Sequence, residues 1–150
     1  MAKIFVYYSA TGSGDLLADF LAKKGYEILK LEMVKPIKKM TSFKTIHYGG
    51  QALMHRKAAL KPYVFEEGSY EKILIGSPVW GDNLSTPINT FLADHPLQEP
   101  SPVFLFYSLG GECKKGQRVV KKKYPKAICL DLLSPKKDLA KAEALLEKIL

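Results

Sequence analysis

Within the first fifteen residues a strand-like run meets a helix-like one, with a turn of hydroxyl residues, glycines and one alanine between them. Lys3-Ile4-Phe5-Val6-Tyr7-Tyr8 is β-branched and aromatic and reads as a buried strand. Asp15-Leu16-Leu17-Ala18-Asp19-Phe20-Leu21 has helical spacing. The turn that joins them is Ser9-Ala10-Thr11-Gly12-Ser13-Gly14. Such a junction presents free backbone N–H groups at the positive end of a helix dipole, and both favour an anion. Ser9, Thr11 and Ser13 each add a hydroxyl donor, and the loop holds no Lys or Arg. The expected ligand is a phosphate cradled by neutral donors. The plainer reading of the same residues is an ordinary βα turn with a hydroxyl N-cap.

Two sharper motifs do not match. A P-loop requires Gly-Lys-Ser/Thr, where this chain has Gly12-Ser13-Gly14. A dinucleotide fingerprint requires a third small residue where Leu17 stands, although Glu32 could serve as its ribose acid.

Further strands are expected over Tyr26–Leu31, Lys72–Gly76, Val103–Tyr107 and Ala127–Asp131. Tyr26–Leu31 alternates in part, whereas Lys72–Gly76 shows no clean alternation, as a strand buried on both faces does not. Gly25 marks the stop of the first helix. Thr86-Pro87 is an N-cap and N1 pair, with Leu84, Ile88, Phe91 and Leu92 on one face. A basic helix runs through Val119 and Val120 towards Pro125. Ser134-Pro135 opens a last helix with Leu139, Ala142, Leu145, Leu146 and Ile149 on its apolar stripe. Residues 37–65 read least clearly: Ser42 caps a helix carrying Phe43, Ile46 and His47, Gly49-Gly50 interrupts it, and a turn or two resumes through Leu53, Met54 and Ala58. His47 and His55 have no partner at ligand spacing, so no metal site is expected.

Five apolar strands alternating with about five helices imply one α/β domain over residues 1–150. Its core is a doubly wound five-stranded parallel sheet with helices on both faces. Ligands in such sheets bind beyond the carboxyl ends of the strands. The informative loops are therefore 9–14, 77–83 and 108–112.

Composition closes off several classes. No apolar run reaches the length of a membrane span, and a strand starting at Lys3 leaves no room for a signal peptide. Cys113 and Cys129 form no metal or redox motif, and a reducing cytoplasm is the expected compartment. The net charge of +8 invites nucleic acid, but the lysines are spread along the chain and no nucleic-acid-binding signature accompanies them. Cys113 and Arg118 are one residue short of the Cys-x5-Arg spacing of a phosphatase loop.

Together the three loops resemble those of the flavodoxin family, and the resemblance covers nearly the whole chain. Ser9-Ala10-Thr11-Gly12-Ser13-Gly14 is similar to the family's Thr/Ser-x-Thr-Gly-x-Thr phosphate loop, with Gly14 in place of the last hydroxyl. Gly76-Ser77-Pro78-Val79-Trp80-Gly81 resembles the loop that one flavodoxin-like branch sets against the isoalloxazine ring; Asp82 and Asn83 after it are candidates for the ring's polar edge or for the start of the next helix. Ser108-Leu109-Gly110-Gly111 stands at the other flavin-facing loop, without the aromatic many flavodoxins have there. The resemblance implies strand order 2-1-3-4-5, a short-chain flavodoxin-like fold and FMN as cofactor. It assigns cofactor contacts to these three loops and assigns no catalytic residue.

Three functions follow from it. The first is an FMN-binding electron carrier, working with redox partner proteins that are acidic at the docking surface. The second is an FMN-dependent NAD(P)H or quinone oxidoreductase, and the third a flavin-free binding domain of the same architecture. The carrier ranks ahead of the self-sufficient enzyme. Neither nucleic acid nor membrane is an expected partner, and a monomer or weak dimer is the expected assembly.

Overall fold

A computed structural model of the 150-residue chain describes residues 1–36, 57–110 and 112–150. The expected helix carrying Phe43, Ile46 and His47, its continuation through Leu53 and Met54, His55, and the candidate site residue Gly111 lie outside the described residues.

The elements run β1 (Ala2–Tyr7), α1 (Ser13–Lys23), β2 (Glu27–Lys30), β3 (Tyr70–Trp80), β4 (Asn83–Leu84), α2 (Thr86–Asp94), β5 (Val103–Ser108), α3 (Lys114–Lys123), β6 (Ile128–Leu133) and α4 (Leu139–Glu147). Five strands pair in parallel in the order β2-β1-β3-β5-β6, and β4 pairs antiparallel with β3. The expected five-stranded sheet in order 2-1-3-4-5 is thus corrected to six strands. The added strand is a two-residue return of the chain against the end of β3, which shifts the last two parallel strands to fifth and sixth place.

The central strands show why alternation was absent. Along β1, Ile4 and Val6 face one core while Phe5 and Tyr7 face the other. In β5, Phe104 and Phe106 face the first core, and Val103, Leu105 and Tyr107 the second. Ile88, Phe91 and Leu92 of α2 and Val120 of α3 cover the first face. Leu17, Ala18 and Leu21 of α1 and Ala142 and Leu146 of α4 cover the second. Helices therefore lie on both faces. Phe5, Phe91, Phe104 and Phe106 are fully buried, each contributing about 1.5–3 kcal/mol by leaving water. Only the edge strands β2 and β6 carry exposed apolar side chains in the sheet, Ile28, Ile128 and Leu133.

Two expected boundaries move. The loop expected at 77–83 is mostly strand: Ser77 and Pro78 still pair with Phe106 and Tyr107, and Val79 and Trp80 pair back onto Leu84 and Asn83. Pro78 is tolerated because β1 ends opposite Gly76, leaving Pro78 a strand neighbour only on the β5 side. The last helix starts at Leu139, capped by the Asp138 carboxylate, which accepts from the Lys141 N–H at 3.1 Å. Ser134-Pro135 instead forms a separate turn, with Ser134 at φ 43° and its carbonyl accepting from the Lys137 and Asp138 N–H groups.

Candidate functional site

The carboxyl ends of β1, β3, β5 and β6 frame a cleft of about 760 Å³. Ala10, Thr11 and Ser13 line it from the β1–α1 turn. Pro78, Val79, Trp80, Gly81 and Asp82 line it from the end of β3, and Ser108, Leu109 and Gly110 from the end of β5. The three loops singled out in the sequence thus share one cavity. Ser9, Gly12, Gly14, Ser77 and Asn83 are not on its surface; they shape it from behind.

The Ser9 hydroxyl organises its own turn. Its hydroxyl oxygen accepts from the Gly12 and Gly14 N–H groups, each at 3.1 Å. That closes the turn and caps α1, whose N-cap residue Gly12 (φ 98°) has no side chain to do so. The Thr11 and Ser13 hydroxyls have no partner among the described residues and stand at the cleft. Gly14 lies beneath them. A Cβ there would come 2.6 Å from Tyr7 Cδ2 and 2.8 Å from the Tyr107 hydroxyl oxygen, so no threonine fits.

Below the cradle the Tyr7 hydroxyl donates to Asp15 Oδ1 at 2.7 Å, and Lys30 Nζ stands 2.9 Å from the same oxygen. Burial alone would raise the Asp15 carboxyl, but hydrogen bonds from Lys30 and Tyr7 outweigh it and hold the group below the usual carboxylate range. Burial, then the Asp15 carboxylate, pushes the Tyr7 phenol well up. Tyr107, fully buried, donates to the Tyr8 carbonyl.

At the end of β3, Gly81 (φ 58°) and Asp82 (φ 57°) form the two-residue turn into β4. Both central residues at positive φ make it a type I′ hairpin, whose twist suits the flanking strands. The Ser77 hydroxyl accepts from the Ser85 N–H at 2.9 Å, and the Asn83 amide oxygen from the Leu84 N–H at 2.9 Å, so both buried polar groups brace the hairpin. Trp80 is only 7% exposed and packs edge-on against Tyr8, with ring centroids 5.6 Å apart. It meets the cleft along part of its surface and belongs to the core as well. Leu109, by contrast, is 83% exposed at the mouth.

Tyr107, Glu112, Ser134, Lys136 and Lys137 also line the cleft and were not anticipated. The turn that carries the last three is held by the Ser134 N–H, which donates to the Ser108 carbonyl at 2.7 Å. Lys136 Nζ then donates to the Thr11 carbonyl at 2.8 Å. No sequence signal marks this contact, because the turn's position depends on how β6 and α4 dock. On the far side, Asp131 accepts from the Cys113 N–H at 3.1 Å and the Gln117 side chain at 2.5 Å, fixing the start of α3. Cys113 is buried, and burial pushes its thiol up to about 12.

Among the described residues no group of three or more His, Cys, Asp or Glu is placed to hold a metal, and no helix is long and apolar enough to cross a membrane.

No family model matches the chain, and no curated protein does. Solved structures do. A proposed flavoprotein from Bacteroides eggerthii is 26% identical, with TM-score 0.72 over 99% of this chain and 98% of that one. A flavoprotein in complex with FMN from Lactobacillus acidophilus is 19% identical, with TM-score 0.71 over 93% and 97%. A further proposed flavoprotein, from Bacteroides uniformis, is 18% identical, with TM-score 0.70 over 97% and 98%. The fold is flavodoxin-like. In this flavodoxin-like chain the cleft sits where β1 and β3 send their connections to opposite faces of the sheet, the switch point at which doubly wound folds bind ligands.

Proposed function

We propose that the chain binds FMN in this cleft and serves as an electron carrier. One observation carries the reading. At the β1/β3 switch point, the Thr11 and Ser13 hydroxyls at the start of α1, without a partner among the described residues, meet an apolar wall of Pro78, Val79 and Trp80. A terminal phosphate suits the first and a flat aromatic ring system the second. The Lactobacillus acidophilus neighbour, solved with FMN, supports the same assignment.

Bound FMN would supply the redox chemistry, and the chain would supply binding, orientation and access. Thr11 and Ser13 donate to the phosphate. Ser9 holds the turn that presents them, and Gly14 lets it settle onto Tyr7 and Tyr107. Pro78 and Val79 would offer an apolar wall to the ring, and the Gly81–Asp82 turn and the 108–110 loop would supply backbone groups for its polar edge. No residue is given a catalytic role.

The test is an absorption spectrum of the purified protein, followed by titration of apoprotein with FMN. Flavin bands and saturable binding are expected. Thr11→Glu sets a carboxylate against the phosphate and should weaken FMN by about tenfold or more. Wild-type affinity in that variant would remove this turn from the site.

A second reading, an FMN-dependent NAD(P)H or quinone oxidoreductase, draws on the open mouth, where Leu109 stands exposed. Steady-state NAD(P)H oxidation with a quinone separates the two, because a carrier turns over poorly without a reductase.

A further inference from the structure

We propose that Lys136, with Lys137 beside it, is the counter-charge to the phosphate held by the β1–α1 turn. The cradle is then neutral in its own sequence but charged in the folded protein. The inference rests on the FMN reading above.

The two lysines line the same cleft as Thr11 and Ser13. Lys136 reaches Thr11 from 125 residues away and donates to its carbonyl at 2.8 Å. An ammonium has three donors, so two remain for a ligand at the neighbouring hydroxyls. Neither lysine has a carboxylate partner among the described residues. The one acid in the first turn of α1, Asp15, is already answered by Lys30 and by the Tyr7 hydroxyl. The uncompensated charge left beside the cradle is therefore positive.

The topology makes this placement directional. α1 and α4 cover the same face of the sheet, so the turns that lead into them meet on one side of the cleft. The cleft's two carboxylates, Asp82 and Glu112, lie on segments that lead to α2 and α3 on the opposite face. The Asp82 carbonyl is tied to that side by the Gly116 N–H at 3.0 Å. The cleft is thus cationic along the cradle wall and anionic across from it. A ligand with a phosphate at one end and an uncharged ring at the other suits this polarity. A lysine that merely braced two loops would also touch the Thr11 carbonyl, so the test must separate bracing from counter-charge.

Kd values for FMN and for riboflavin, which lacks the phosphate, are measured at low salt on wild type, Lys136→Gln, Lys136→Arg, Lys137→Gln and Lys126→Gln. Lys126 precedes β6 at the opposite end of the sheet and controls for net charge. Lys136→Gln should weaken FMN about three- to tenfold and leave riboflavin unchanged. Lys136→Arg should keep most of the FMN affinity, Lys137→Gln should show a smaller loss of the same kind, and added salt should narrow the gap between wild type and Lys136→Gln. Retained riboflavin binding also shows that each variant is folded. Equal losses for both ligands would make Lys136 a brace and overturn the inference, as would a Lys136→Gln that matches Lys126→Gln. If wild type bound neither flavin, the FMN reading would fail and this inference with it. If wild type bound FMN and Lys136→Gln bound it equally well, only this inference would fail.

Discussion

Gly14 and Tyr107 stand so close that residue 14 has no room for a side chain: a Cβ there would lie 2.8 Å from the Tyr107 hydroxyl oxygen. The resembled phosphate motif has a hydroxyl residue at this position, and the chain departs from it for a packing reason. The phenol that fills the space also donates to the Tyr8 carbonyl, so turning away would cost that buried hydrogen bond.

Gly14→Thr, which would restore the motif, is therefore expected to destabilise the protein by about 1–3 kcal/mol or more through overpacking. Urea unfolding measures it. A variant as stable as wild type, with FMN bound more tightly, would mean that Tyr7 and Tyr107 yield readily and that the lost hydroxyl had been a functional choice.

Trp80 makes a second prediction. Trp80 lines the cleft and is also buried among Tyr8 and the first core cluster. Trp80→Ala should cost about 3–5 kcal/mol of folding stability before any effect on binding. Trp80→Phe should keep most of that stability. Because Trp80 is the only tryptophan and borders the cleft, FMN should still darken tryptophan emission. Saturating FMN with unchanged emission would place the ring away from β3.

The Asp15 network gives a pH dependence with a definite sign. Its carboxyl titrates lower in the folded protein than the ordinary value near 4 of an unfolded chain. Between those two values the unfolded state binds more protons, so stability rises with pH there. The contribution is fully present above pH ~4 and is lost as pH falls through the folded value. The side chain is 44% exposed, so less than about 1 kcal/mol is at stake. Asp15→Asn should flatten the acid limb of a stability–pH curve and leave its neutral region little changed in shape. An unaltered acid limb would show that the pair with Lys30 does not form in solution.

These outcomes also mark how far the sequence could be read. The strands were visible because β1, β3 and β5 are buried on both faces and so read as unbroken apolar runs. β4 was not, because two residues carry no periodicity, and Pro78 and Gly81 make the end of β3 look like a loop. Ser134-Pro135 matches a helix start in composition, but positive φ at Ser134 turns the chain away and leaves capping to Asp138. Ser9 was recognised as part of the turn, but that its oxygen accepts from the Gly12 and Gly14 N–H groups was not legible, because that depends on the turn's conformation. Lys136 was beyond reach, since its neighbour Thr11 is set by the packing of α1 and α4 on one face rather than by anything local.

The last prediction concerns partner choice and follows from where α3 begins. Glu112 lines the cleft, and Lys114, Lys115, Arg118 and Lys122 follow it on exposed positions of α3. None of these four has a carboxylate partner among the described residues. Lys121 and Lys123 are excluded from the count because their ammonium groups donate to the Ala127 and Leu92 carbonyls. A cluster of free cations beside the proposed flavin site should attract an acidic electron-transfer partner and raise its encounter rate, more than it raises final affinity. Screening limits the effect to low ionic strength, since the Debye length is about 10 Å at 0.1 M salt. Stopped-flow electron transfer between the reduced protein and an acidic or a basic acceptor, across a salt series, reads it directly. The acidic acceptor should react faster at low salt and slow by about tenfold or more as salt rises, and the basic acceptor should do the reverse. Lys114→Glu with Lys115→Glu and Arg118→Glu should invert that preference without changing FMN affinity, because none of the three lines the cleft. Rates indifferent to salt, or an unchanged preference in the triple variant, would mean that partners reach the flavin by another face.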